Sequence, residues 1–472
     1  MAPLRNGAAF RRRRFLSAAA FLACPPFFSG RASAQPGRNR RSAVLISLDG
    51  LRPDYITKAD EHRLKIPALR RLVRVGASSM QVRGVLPTVT YPSHTTLITG
   101  VSPARHGICY NHPFDPSAQN PNAWFWYAED IRVPTLWDAA AAAGFRVGSI
   151  SWPVTVGART IAVNIPEYAG TRTPEDLKML RALSPPGLIS QLESSAGAYL
   201  IDVNQAIPRD WSRTRYAVEF LRSQKVDFLT VHLAATDHVQ HRHGPFSPEA
   251  FEALAEVDKM VALLERTVLQ LDPRAVVCVV SDHGFAPVNH YLKLDAAFVR
   301  AGLITLKAER ETLAMSGVAA WEAMPWNASG SAAILLRNPS DPAVRARVAR
   351  LLEDLAGDPA NGIAAILDRT TIQRLGGSPD AQYWLALKSG YSLSPSLAGP
   401  LVTKVSLRGT HGHAPMLPEM DSLFVIAGEN IRKGHDLGAV DMRSIAPTLA
   451  RAAGIPFSTA EAEPLDVFVP KS

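Results

Sequence analysis

The chain has 472 residues, 47% of them hydrophobic, with 51 basic and 42 acidic side chains. This length and apolar content supply a large core and exclude a disordered or fibrous chain beyond the first forty or so residues. The formal charge of +9 does not mark a nucleic-acid binder: residues 1–34 hold six arginines and no acid, which leaves 45 basic against 42 acidic groups, or +3.

In chain order, the first signal is Arg11-Arg12-Arg13-Arg14-Phe15-Leu16, an apolar run to Phe28, then Ala32-Ser33-Ala34. Basic, apolar and small-residue regions in that order predict a cleavable export signal over 1–34, and Arg-Arg-x-Phe-Leu resembles the twin-arginine motif, so the mature chain is expected in the periplasm or outside the cell. The run is too short to span a bilayer and carries Pro25-Pro26. Lipid attachment at Cys24 is the alternative. Of three cysteines, Cys109 and Cys278 remain after cleavage; a disulfide between them stays open, but no framework is indicated.

Short runs rich in Val, Ile and Leu end in polar residues: Ala43 to Leu48 before Asp49, Phe228 to Leu233 before Asp237, and Ala275 to Val280 before Ser281-Asp282-His283-Gly284. Such runs predict strands of a mostly parallel sheet covered by helices on both faces, an α/β fold, with active residues at the carboxyl ends. Helices are predicted from Ser247-Pro248-Glu249 to about Leu271, over Pro342 to Leu355 and over Met442 to Ala453, and a further strand over Ser422 to Ala427. The catalytic part is expected over 42–290 and 405–472. The looser pattern of 291–404, with Gly, Pro and Ser clusters, reads as an inserted cap.

Five constellations carry chemistry. Asp49 follows a strand; alone, such a residue is an ordinary turn former. Thr90, in Pro87-Thr88-Val89-Thr90-Tyr91-Pro92-Ser93-His94, opens a predicted helix whose free N–H groups suit a phosphoryl group, although Thr90 or Ser93 would also serve as a plain cap. A threonine hydroxyl needs a cation or base to act as a nucleophile. Asp237 and His241, four apart, share one face of a helical turn and can share an ion; His238 and His243 fit that geometry less well. Asp282 and His283 can reach one ion only where the strand ends and the backbone turns, which Gly284 permits. In Gly409-Thr410-His411-Gly412-His413, the glycines let His411 approach an ion, whereas His413 reads as structural. Three carboxylates, three imidazoles and a hydroxyl, without thiolates, suit two divalent ions, zinc or manganese.

The order Asp, Thr, Asp-x-x-x-His, Asp-His-Gly, Gly-x-His-Gly, together with Thr-x-Pro-x-His-x-x-Leu-x-Thr-Gly around Thr90, resembles the nucleotide pyrophosphatase/phosphodiesterase branch of the alkaline phosphatase superfamily. The resemblance implies one Zn2+ on Asp237, His241 and His411, another on Asp49, Asp282 and His283, Thr90 as nucleophile on the second ion, and Asn111 donating to the phosphoryl oxygen. It implies a metal-dependent hydrolysis of small-molecule phosphodiesters or pyrophosphates. Tyr91 and His232, which stands where relatives often have Tyr, are the expected substrate contacts. A phosphomonoesterase or phosphonoacetate-type hydrolase with the same metals, or a metal-binding protein without catalysis, are the alternatives. Sulfatase chemistry is excluded because Cys109 lacks the Cys-x-Pro-x-Arg setting, and no mature segment is long enough for the membrane helices of phosphoethanolamine transferases. No residue pattern speaks to oligomeric state.

Overall fold

The computed structural model describes residues 40–120, 122–307 and 315–470. The predicted export signal and Cys24 lie outside them. Among the described residues no helix is long and apolar enough to cross a membrane.

The central sheet contains β1 (Ala43–Leu48), β2 (Ala77–Arg83), β3 (Val147–Ile150), β4 (Val163–Ile165), β5 (Phe228–Leu233), β6 (Val276–Val280) and β7 (Ser422–Ala427) in the order β2-β7-β6-β1-β5-β3-β4. The run β6-β1-β5-β3-β4 is parallel. β7 is antiparallel to both β6 and β2, so the sheet is mixed. β1 shows why its sequence is apolar throughout. Val44, Ile46 and Leu48 enter the core on one face, Ala43 and Leu45 the core on the other.

One face is covered by α2 (Ala206–Arg222) and α4 (Pro248–Leu271), the other by α1 (Thr90–Thr99) and the helix Ile445–Ala453; α3 (Ala235–His243) follows β5 directly. α4 starts as its sequence predicts, with the Ser247 hydroxyl accepting from the Ala250 N–H and Pro248 in the first turn. The helix predicted from Pro342 runs to Gly357, capped by Asp341, and the last begins at Ile445 after a short 3₁₀ turn over Met442–Ser444.

Within 291–404 the strands Ala323–Asn327, Ser331–Leu336, Ala381–Leu387 and Ile363–Asp368 form a four-stranded antiparallel sheet with its own apolar core. Strands Ala286–Leu292 and Val402–Thr410, which flank this region, pair antiparallel. Cys109 and Cys278 are both buried and free, so no disulfide joins them.

Candidate active site

Three parallel strands stop together. Leu48 is level with Leu233 on β5, and Ser47 with Val280 on β6, so Asp49, the start of α3 and Asp282 reach one edge of the sheet. The loops are bonded to each other there: the Gly50 N–H donates to Asp282 Oδ1 (3.1 Å) and the Leu51 N–H to Ser281 Oγ (2.9 Å). Asp237 and His241 lie one turn apart on α3, with Asp237 Oδ1 3.3 Å from His241 Nε2. His411 follows the strand Val402–Thr410, and Gly412 after it takes φ +83°, where a Cβ would stand 1.8 Å from the Ala328 carbonyl oxygen of the neighbouring hairpin. Gly284 serves differently from the turn expected of it. Its φ is not left-handed, but a Cβ would lie 2.0 Å from the Glu419 carbonyl oxygen, so it is close approach that requires glycine.

His283 sits at the centre. Its Nε2 is 3.4 Å from Asp49 Oδ1, 3.2 Å from Asp282 Oδ2 and 3.4 Å from Thr90 Oγ1. Its ring stacks on that of His411, centroids 3.7 Å apart at 11°, and His411 Nε2 is 3.6 Å from Asp237 Oδ1. Donor atoms of Asp49, Asp282 and His283 lie within 4.8 Å of one another, as do those of Asp237, His283 and His411.

The three imidazoles are oriented alike. Nδ1 of His241, His283 and His411 faces the carbonyl oxygens of Gly409 (3.1 Å), Gly284 (3.0 Å) and Thr88 (3.1 Å). A carbonyl only accepts, so each Nδ1 carries a proton and each Nε2 is turned to the centre, that of His241 toward Asp237, which raises the His241 pKa against burial. Burial pushes the pKa of His283 and of His411 down, which keeps both rings neutral. Meanwhile Asp49 Oδ1, Asp237 Oδ1 and Asp282 Oδ2 are buried without a hydrogen-bond partner among the described residues. Burial, then Asp49, pushes the Asp282 pKa well up. Unpartnered buried carboxylates facing imidazole lone pairs are costly by themselves and complementary to cations.

Thr90 is the first residue of α1, whose cap is Val89 with no side chain bonded to the helix end, so Thr90 and Ser93 do not act as its caps. Asn111 Oδ1 accepts from the Tyr91 N–H (2.9 Å). Its NH2 group makes no hydrogen bond among the described residues. Tyr91 packs on Trp124, centroids 5.1 Å apart.

His232, expected at the substrate, lies elsewhere. It is 1% exposed and behind Asp49, with Nε2 2.9 Å from Asp49 Oδ2 and Nδ1 3.5 Å from Glu167 Oε2. Burial opposes its charge, but the bond to Asp49 and the nearby Glu167 carboxylate outweigh that and raise its pKa to about 10, while Nδ1 donates to the Ser151 carbonyl (3.1 Å). As a residue inside a strand buried on both faces, it points into the layer beneath the site. His413 is fully buried, its Nε2 on the Tyr391 carbonyl (3.1 Å), and His243 is exposed beside Glu249.

A cavity of about 260 Å³ opens from Asp49, Thr90 and Asp237. Tyr91, Trp124, Trp126 and Tyr168 line part of it; Glu167, Arg209, Arg213 and His238 line another. The sequence reading missed Glu167, Arg209 and Arg213. The signal available was Arg209-Asp210-x-x-Arg213, charges repeated on the buried side of an amphipathic helix.

A family model described as type I phosphodiesterase / nucleotide pyrophosphatase matches residues 43–413. Venom phosphodiesterase 2 of Crotalus adamanteus is 24% identical over 277 residues, 55% of this chain and 29% of that protein. Ectonucleotide pyrophosphatase/phosphodiesterase family member 1 of Homo sapiens is 25% identical over 255 residues, 51% of this chain and 23% of that protein. The matched part is thus under a third of these relatives' length. Human ectonucleotide pyrophosphatase / phosphodiesterase 5 superposes with a TM-score of 0.63 at 18% identity, over 90% of this chain and 97% of its own. The murine protein, solved also as an inactive variant in complex with AMP, gives 0.60 at 20%, over 89% and 97%.

Proposed function

The chain belongs to the type I phosphodiesterase / nucleotide pyrophosphatase family, and from that premise we propose that it is a dimetal hydrolase of phosphodiester or pyrophosphate bonds that works through a phospho-threonine at Thr90. The observation that carries this is the set of three Nε2 atoms, each turned inward by a backbone carbonyl on Nδ1, facing three buried carboxylate oxygens without a hydrogen-bond partner among the described residues.

In this reading Asp237, His241 and His411 hold one divalent ion, and Asp49, Asp282 and His283 with Thr90 hold the other; the donor set suits Zn2+. Bound there, the ions lower the pKa of the threonine hydroxyl and neutralise charge on the entering and leaving oxygens. Thr90 Oγ1, once deprotonated, attacks phosphorus in line, and the bond to the leaving alcohol of a diester or the leaving phosphate of a pyrophosphate breaks. Water then hydrolyses the phospho-threonine and restores Thr90. Of the first-turn N–H groups of α1 only that of Thr90 stays open among the described residues, since Tyr91 donates to Asn111 Oδ1, Pro92 has none and Ser93 donates to the Val89 carbonyl; the helix N-terminus still favours negative charge at Thr90. Asn111 has its carbonyl occupied by Tyr91, which leaves its NH2 to donate to a phosphoryl oxygen. The aromatic wall of Tyr91 and Trp124 suits a planar substrate group, consistent with the AMP complex of the murine relative. Residues 291–404 act as the cap, and residues 1–34 as a twin-arginine signal that delivers the protein to the periplasm or beyond.

The test is hydrolysis of bis-p-nitrophenyl phosphate against p-nitrophenyl phosphate by the zinc-loaded protein. Diester preference is expected, and Thr90→Ala should lower kcat by ~10³ or more with zinc content retained. Monoester preference would move the assignment to a phosphatase, and an active Thr90→Ala would end the covalent mechanism.

A further inference from the structure

The cavity holds a charge that the reaction as derived does not use. Arg209 lines it beside Asp49, Thr90 and Asp237, yet is only 7% exposed. Its guanidinium makes no hydrogen bond or ion pair among the described residues, and its Nε is fully buried without a partner. Burial and the adjacent Arg213 push its pKa down to about 10, so it remains charged near neutrality.

Neither neighbouring acid forms an ion pair with Arg209 among the described residues, although Asp210 and Glu167 both support its charge at longer range. Asp210 takes the Arg213 guanidinium on Oδ1 (3.0 Å) and the Ala235 N–H on Oδ2 (2.7 Å). Glu167 Oε2 lies 3.5 Å from His232 Nδ1, whose hydrogen bond goes to the Ser151 carbonyl (3.1 Å). His232 in turn is shared with Asp49. What remains is one buried guanidinium with open donors in the same cavity as the nucleophile, an expensive arrangement unless an anion completes it. The exposed Arg172, also on the wall, adds charge of the same sign.

We propose that the substrate carries, beside the phosphoryl group that is cleaved, a second anionic group, phosphate or carboxylate, and that Arg209 binds it. This rests on the phosphodiesterase reading above and narrows its substrate class. A diester whose second ester group is uncharged fills the aromatic side of the cavity but leaves Arg209 unpaired. A diester with an anionic tail gives the guanidinium a charge-assisted partner, and Arg offers two parallel N–H donors to either a carboxylate or a phosphate.

The experiment uses p-nitrophenyl phosphodiesters whose second ester is a two- to four-carbon alkyl chain, plain or ending in carboxylate or phosphate. With zinc-loaded wild type, at least one anionic tail should raise kcat/KM roughly ten- to hundredfold over the plain chain. Arg209→Gln should erase that ratio and Arg209→Lys restore part of it; a merely structural role would lower all substrates together and leave the ratio unmoved. Which tail gains distinguishes phosphate from carboxylate. Calorimetric binding of the corresponding alkyl phosphate monoesters should show the same tail-dependent ratio, lost in Arg209→Gln. If no diester is turned over, the phosphodiesterase reading fails while the binding ratio still decides the role of Arg209. Equal affinity and turnover for plain and anionic tails at every length, or a tail advantage that survives Arg209→Gln, overturns the proposal.

Discussion

Asp282→Asn should stabilise the metal-free protein and weaken the metal-bound one, two opposite effects of one substitution. A carboxylate oxygen of Asp49 lies within 4.8 Å of one of Asp282. At an effective dielectric constant of about 20, two unit charges at that separation repel by roughly 3 kcal/mol, an upper limit on the cost of Asp282, because its raised pKa lets it take up a proton instead. Asparagine removes the repulsion and keeps the acceptor that holds the Gly50 N–H at 3.1 Å. It also places an amide donor near His283 Nε2, which is 3.2 Å from the present Oδ2. Loss of attraction to the charged His232 offsets part of this, so a net gain of about 2 kcal/mol is expected in chelator at pH 8. For a folded unit of Asn39–Ser472, an unfolding entropy of ~2.1 cal/mol/K per residue makes 1 kcal/mol worth roughly 1 °C, so Tm should rise by about 2 °C. With zinc at a thousandfold its Kd, each occupied site adds about 4 kcal/mol. The variant should lack one such contribution, and its rank against wild type should invert. Calorimetric scans in chelator and in zinc read both effects. A variant less stable than wild type in chelator would refute the view that these carboxylates form an uncompensated cation site.

His232→Phe should leave Asp49 Oδ2 without its 2.9 Å donor and weaken zinc binding by roughly 10–100-fold, since the groups that orient a ligand govern its affinity; a competitive zinc titration with unchanged affinity would contradict that role. Asp295 offers a pH test away from the site. Fully buried, with Oδ2 bonded to Asn327 Nδ2 at 2.8 Å, its pKa is pushed up to about 7 by burial. A raised carboxyl pKa means the folded state binds the proton more tightly than the unfolded one. Stability should therefore fall as pH rises from the ordinary carboxylate value of 3.8 to about 7, by up to roughly 4 kcal/mol, and then level off. Asp295→Asn should flatten that part of the denaturation profile relative to wild type, and an unaltered slope would count against the raised pKa.

Much of the sheet was legible because β1, β5 and β6 are buried on both faces and so read as unbroken apolar runs. The same feature hid the direction of β7, whose side chains are equally buried; an antiparallel strand in the middle of a sheet carries no mark that a parallel one lacks. Asp237 and His241 were legible as a pair because α3 follows its strand at once, and the spacing of four carries over to one helical face. His232 was misread for the converse reason. Its position relative to Asp237 along the chain suggests the substrate, but a strand buried on both sides turns it beneath Asp49 instead. Arg209 and Arg213 were invisible as site residues because α2 itself was not predicted, and only its docking on the sheet places one side of it against the cavity.

What no sequence pattern could supply is the orientation of the imidazoles. His241, His283 and His411 are recognisable by type and spacing, but their usefulness as ligands depends on which ring nitrogen carries the proton. That is decided by the carbonyls of Gly409, Gly284 and Thr88, backbone groups that any residue presents. The sequence acts on them indirectly. Gly284 admits the Glu419 carbonyl that a Cβ would strike at 2.0 Å, and Gly412 admits that of Ala328 at 1.8 Å, so the loops can lie where their carbonyls meet Nδ1. The glycines beside the histidines therefore bear on the chemistry through packing. A methyl group at Gly284 or Gly412 would move a ligand-bearing loop without touching any ligand, and would release an Nδ1–H from its carbonyl and an Nε2 lone pair from the centre together.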